Sequence, residues 1–217
     1  MLVEFALPDV PDPVEAISDY WIRYLFVGSP SQNPQINALA GTYMRLVEAA
    51  IVEYRLGSVA LRQVWADHTS LGLRAMHRSI SHFESCVSDM HRAIAAYRRL
   101  RNHPDRDPLS AYLEGVKPAF VADKIAFRVR NMRDAVHHLE EKVVKGEMAE
   151  GQAVALRPDG QEAPHPTEPG QTIKTFDRLA IGPHQLMFSE IAAWLSEMSA
   201  VATTVAKFDP RQVGASP

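Results

Sequence analysis

The sequence predicts an all-α fold, an up-and-down bundle of four long helices plus a shorter N-terminal helix. Three observations carry that expectation. Apolar residues recur in steps of three and four along four separate stretches, the spacing that lines one face of an α-helix. Prolines fall between those stretches or at their first residue, where a helix tolerates them. The 46% hydrophobic and 23% charged content of the 217 residues is enough for a core that such stripes can build. Each stripe needs another to cover it, so the helices are expected to pack lengthwise in one helical domain spanning residues 1–217.

The first helix is expected to begin at Asp12-Pro13, where the aspartate can cap and the proline suits the first helical position, and to run to about Val27. Gly28, Pro30 and Pro34 then break the chain. A second, long helix follows from about Gln35 to Trp65, with Ile36, Leu39, Tyr43, Leu46, Ala50 and Tyr54 on one face and Gly57 weakening its last turns. The third carries the most regular stripe: Leu73, Met76, Ile80, Phe83, Val87, Met90, Ile94 and Tyr97. It ends near Asn102-His103-Pro104, and a short helical turn at Ser110 to Glu114 leads on. Pro118 opens a fourth helix to about Lys145, with Val121, Ile125, Val129, Met132, Val136, Leu139 and Val143 on one face and Gly146 as its C-cap. From Gly146 to Pro183 five glycines and five prolines fall in 38 residues. Residues 146–182 therefore read as a loop or hairpin insertion, with a turn at Arg157-Pro158-Asp159-Gly160 and short pieces at Ala153–Leu156 and Thr172–Phe176 able to pair. The last helix is expected from Gly182-Pro183, carrying Met187, Ile191, Trp194, Met198, Val201, Val205 and Phe208 back to the same core.

Composition narrows the functional classes. Cys86, the single cysteine, cannot form an intramolecular disulfide, which points to a reducing compartment. The N-terminus presents Glu4, Asp9, Asp12, Glu15 and Asp19 before its first basic residue, Arg23, the reverse of a signal or transit peptide. No apolar run reaches the roughly 20 residues that span a bilayer. A cytoplasmic protein with no membrane span is the expectation. Formal net charge is −3, yet the stretch from Lys117 to His138 sets Lys117, Lys124, Arg128, Arg130 and Arg133 against only Asp123 and Asp134. Within it Lys124, Arg128 and Arg130 are candidate contacts for a nucleic-acid backbone.

Other chemistries lack their motifs. No G-x-S-x-G, Walker-type loop or G-x-G-x-x-G occurs, and Cys86 lies on the flank of the most apolar helix, where a buried, inert thiol is expected. A metal-binding bundle needs Glu-x-x-His on facing helices, and the one match, Glu162 to His165, falls in the proline-rich stretch. His77, His82 and His91 lack the four-residue spacing of a helical chelate, and His137 with Glu141 reads as a solvated ion pair. Neither a metal nor a cofactor is expected.

The stretch KIAFRVRNMRDAVHHLEEKV stands apart. On a helical wheel Arg130, Arg133, Asp134, His137 and Glu141 cluster opposite the apolar face, and His138 lies at the border between the two. Arg133-Asp134-x-x-x-His138 resembles the signature of the HEPN superfamily of helical bundles: an arginine, a polar Asn, Asp or His, then a histidine after four to six intervening residues. The similarity extends through RDAVHHLEEKV, and a hydrophobic residue and two acids after His138 favour this register. Arg130-Asn131 with His137 meets the same rule, so Arg130, Asn131 and His137 stay open as the alternative. The resemblance implies a homodimer whose two motif helices line a shared cleft, RNA as ligand, and an antitoxin or other protein partner. It further implies a metal-independent endoribonuclease of defence or toxin type, with the histidine as proton shuttle, Arg133 on the phosphate and Asp134 orienting it. Many members are non-catalytic binding or regulatory modules, and that is the alternative function.

Overall fold

Two long apolar stripes that can only be buried against each other set the centre of the molecule. The computed structural model describes residues 2–11, 14–26, 28, 31–66, 73–105, 107–146 and 155–209. Asp12-Pro13, Val27 and residues 147–154, at which helix or hairpin limits were expected, lie outside the described residues. Helix α1 is Val14–Phe26 and α2 is Pro34–Ala66. The Asn33 side chain accepts the Gln35 backbone N–H at 2.8 Å and Pro34 takes the first helical position, a capped start. Helix α3, Leu73–Arg101, runs antiparallel to α2, since Ser79 donates to the Gly57 carbonyl at 3.0 Å while His103 meets Gln35 at the other end. Phe83, Val87, Met90, Ile94 and Tyr97 of its stripe are buried.

The rest of the core closes around this pair. Tyr43, Tyr97 and Phe120 form one aromatic cluster, and Tyr54, Phe83 and Phe188 another. Three buried tyrosine hydroxyls find carbonyls, Tyr43 that of Met198, Tyr54 that of Pro8 and Tyr97 that of Val116, while the buried Tyr20 hydroxyl has no partner among the described residues. Arg55 and Arg62 donate to the Val10 and Leu7 carbonyls, so the N-terminal segment is strapped along α2.

The expected fourth helix is divided. Helix α4, Pro108–Gly115, is capped by Asp107, and a 3-10 turn, Ala119–Val121, precedes α5, Asp123–His137. The helix breaks at His138, whose backbone sits at φ −98 and ψ 8 with its N–H shared between the Asp134 and Val136 carbonyls. Helix α6, Leu139–Lys145, follows. Leu139 is half-buried, but Val143 is 49% and Val144 86% exposed, so the apolar stripe loses its cover after the break. Gly146 closes α6 at φ 67, a conformation glycine adopts readily.

The all-α expectation is overturned by a four-stranded mixed sheet. Strand β1, Leu2–Phe5, pairs parallel with β3, Thr172–Ile181, while β2, Arg157–Pro164, and β4, His184–Met187, pair antiparallel with it. Since β2 covers one edge of β3 along most of its length, β1 and β4 share the other edge in tandem. Gly182-Pro183, read as the start of the last helix, is instead the two-residue turn of the β3–β4 hairpin, with Gly182 at φ 53. Helix α7 begins later and spans Phe188–Lys207. Arg157-Pro158-Asp159-Gly160, read as a turn, lies within β2, where the register slips between Asp159 and Gly160. A β-carbon at Gly160 would fall 1.6 Å from the Thr175 carbonyl oxygen, so only glycine fits that bulge. Leu179, Ile181 and Leu186 turn the sheet's inner face to the helices. Among the described residues, no helix is long and apolar enough to cross a membrane.

Candidate functional site

Helix α5 buries Ala126, Val129 and Met132 and thereby fixes which residues face outward. Its inner face rests on α3, and its flank meets β4. The second contact is fastened by Arg128. Its two terminal nitrogens lie 2.6 and 2.7 Å from the two carboxylate oxygens of Glu190, it reaches the Gln185 carbonyl at 3.4 Å, and it stacks 5.5 Å from the Trp194 ring. A bidentate pair of this kind fixes geometry as well as charge. Arg128 is thus occupied in joining α5 to β4 and α7.

The candidate residues divide between the two flanks of α5. On the β4 side, Asn131, Asp134 and His138 line a groove of about 390 Å³, closed by Glu141 and Lys145 of α6 and by His184 at the start of β4. On the α3 side, Lys124 and Arg130 line a second groove of about 500 Å³ with His91, Arg98 and Asp123, over an apolar floor of Ile94, Ala95 and Phe127. Arg133 lines neither groove. It donates to Asp134 at 2.9 Å, and its Nε is buried with no partner among the described residues. His137 is exposed at the end of α5, outside both grooves.

Charge is finely set here. The Arg133 hydrogen bond holds the Asp134 carboxyl below its ordinary range against the opposing effect of burial, with the Arg133, Arg130 and His91 charges helping. Arg130 Nε approaches the same carboxylate at 3.6 Å. Burial, then the Arg133 charge, lowers His91, whose Nδ1 is another buried atom without a partner among the described residues. His138 lies 3.3 Å from Glu141, whose other oxygen takes Lys145 at 2.5 Å. Those hydrogen bonds, Lys145 first, lower Glu141. Glu141 therefore pairs with His138 and Lys145, and the expected ion pair with His137 is not formed.

Chemically, the β4-side groove sets two imidazoles, the ionised carboxylates of Asp134 and Glu141 and the Lys145 ammonium around one space. Its imidazoles can move protons, and its ammonium is already paired with Glu141. Among the described residues no three His, Cys, Asp or Glu side chains converge as metal ligands. The Cys86 thiol is buried and its ionisation is pushed far up by burial, consistent with an inert core residue.

Sequence reasoning passed over His91 and His184. His91 was weighed only for chelate spacing, and His184 reaches the groove through a hairpin that the local pattern does not reveal. Compared with protein-family models, with curated proteins and with solved structures, the chain gives no match.

Proposed function

We propose that this protein is a HEPN-like, metal-independent endoribonuclease of defence or toxin type, acting in the cytoplasm, with its centre at the α5–α6 break. The observation that carries the reading is the convergence of Asp134 and His138 with Lys145 in one groove, beside the arginine that holds Asp134. RNA supplies its own nucleophile. A base takes the 2′-hydroxyl proton, the 2′-oxygen attacks phosphorus, and the P–O5′ bond breaks as an acid protonates the leaving oxygen. The products are a 2′,3′-cyclic phosphate and a 5′-hydroxyl. Imidazole as a residue type suits both proton transfers near neutral pH, and cations stabilise the charge that builds on the phosphate.

Lys124 and Arg130, on the neighbouring groove, extend the positive surface along the strand. Phe127 at 57% exposure, with Val143 and Val144, leaves apolar surface along α5 and α6, where a second copy would bring two motif helices together. A second reading has its own support. Arg133 is paired with Asp134 and His138 with Glu141, within one turn each, as a self-satisfied surface would be. That arrangement suits a non-catalytic interaction or regulatory module with an antitoxin or other protein partner.

Alanine substitution separates these readings. Under the nuclease reading His138→Ala lowers cleavage by ~10²–10⁴ and spares RNA binding. Arg133→Ala removes the hydrogen bond that holds Asp134 and weakens cleavage. Cleavage that survives His138→Ala and is lost in His137→Ala moves the centre to Arg130, Asn131 and His137. Wild-type protein that neither binds nor cuts RNA leaves the interaction module.

A further inference from the structure

His184, from β4, lines the same groove as His138, at the α5–α6 break, and nothing in the sequence pattern joins them. It is the first residue of β4, paired in register with Ile181 immediately after the Gly182-Pro183 turn, and so stands at the tip of the hairpin. The hairpin is held against α5 by Arg128, which grips Glu190 and the Gln185 carbonyl. His138 is held by the break in the helix. Asn131, Asp134 and Ala135 line the groove with them, and the space of about 390 Å³ is suited to a phosphate and an attached sugar. Among the described residues neither ring nitrogen of His184 has a hydrogen-bond partner, so the imidazole is unused by the fold.

We infer that His184 is a second catalytic histidine, working with His138 as an acid/base pair on the RNA phosphodiester. The inference rests on the ribonuclease reading and adds to it the partner that an in-line reaction requires. The attacking 2′-oxygen and the leaving 5′-oxygen lie on opposite sides of phosphorus, so one imidazole on one helix serves only one of them well. With histidines brought to one groove by two different elements, one neutral imidazole accepts the 2′-hydroxyl proton while the other, protonated, gives its proton to the 5′-oxygen as the P–O5′ bond breaks. The net transfer is one proton from substrate to one histidine and one from the other histidine to product. Hydrolysis of the cyclic phosphate by water, with the roles reversed, restores both.

Two readouts test it on the full chain. The rate of RNA cleavage against pH is expected to be bell-shaped, and His184→Ala is expected to lower it by ~10²–10⁴ and remove one limb, with RNA affinity kept. The charged and titratable groups that line the groove with His184 are Asp134 from α5, His138 at the break, and Glu141 and Lys145 from α6, with Arg178 of β3 bonded to the adjacent Gln185. His184→Gln, which keeps a polar side chain at the hairpin tip, is expected to fail in the same way with an unchanged circular dichroism spectrum. In a second measurement, uridine 3′-monophosphate is titrated into the wild-type protein, and the His138 and His184 ring protons are expected to shift together in NMR spectra. Cleavage lost in His138→Ala but retained with its full bell in both His184 variants overturns the second histidine and leaves the nuclease standing. A nucleotide that shifts His138 alone does the same. Absence of cleavage by wild type overturns the nuclease reading itself, and the pair with it.

Discussion

Replacing Arg128 by methionine separates a cation that holds the fold from one that holds RNA. Methionine keeps much of the aliphatic stem and loses the charged fork that meets both Glu190 oxygens at 2.6 and 2.7 Å. A hydrogen bond to a charged group contributes about 1.5–3 kcal/mol when desolvated, whereas an exposed ion pair contributes about 0.2–1 kcal/mol. About a third of each side chain is exposed, 33% and 32%, so the expected loss is intermediate. We set it at about 1–2 kcal/mol, a fall in melting midpoint of about 2–8 °C for a chain of this size. The deficit should also depend on pH. The Arg128 hydrogen bond, opposed by burial, lowers the Glu190 carboxyl from its ordinary 4.5. A depressed carboxyl contributes stability above that unfolded value and loses it as pH falls through the lower folded one. Wild type and variant should therefore converge in acid. Thermal melts near neutral pH and in steps below 4.5 check this, alongside RNA affinity at several salt concentrations, which should not change. A variant that melts with wild type but binds RNA more weakly, with a shallower salt dependence, would refute the structural role.

Other outcomes follow from single contacts. Gly160→Ala should part the β2–β3 ladder, because its β-carbon would meet the Thr175 carbonyl at 1.6 Å, and lower stability by about 1–3 kcal/mol in a denaturant titration; an unchanged midpoint would show that the bulge is mispositioned. Phe188→Ala removes a fully buried ring 5.2 Å from Phe83 and should cost about 3–5 kcal/mol, read as a fall in midpoint of roughly 6–20 °C. His91, lowered from 6.5 by burial and then by Arg133, is more stable neutral in the fold. Its contribution is present above the ordinary value and is lost as pH falls through the depressed one, so His91→Gln should flatten the acid side of the stability profile. An identical acid limb in variant and wild type would contradict that placement.

What was legible in the sequence follows from the range of the contacts. The α3 stripe from Phe83 to Tyr97 is buried as its spacing requires, because a helix repeats its burial every three or four residues and needs no distant information. The sheet was not legible for the opposite reason. Leu2–Phe5 acquires its meaning from Thr172–Ile181, about 170 residues away, and Arg157–Pro164 has the composition of a turn, with two prolines that cannot donate to a ladder, yet pairs along β3 through its other backbone groups. The break at His138 has neither glycine nor proline to mark it. At the candidate site, Asp134 and His138 share a groove, as a spacing of one helical turn allows even with His138 at the C-cap. Arg128 reads in sequence as a cation available to RNA, and only the fold reveals Glu190 beside it. His184 carries no spacing signal, since a hairpin brings it to α5.

A nuclease centre in the α5–α6 groove, as proposed, cuts RNA through the substrate's own 2′-hydroxyl, with no metal ion. Incubation of the wild-type protein in excess chelator, with a single-stranded RNA beside the same sequence made with 2′-deoxy sugars, tests it most directly. The expected result is 2′,3′-cyclic phosphate ends from the RNA and no cleavage of the deoxy strand. Intact RNA, equal cleavage of both strands, or cleavage that the chelator stops would contradict it.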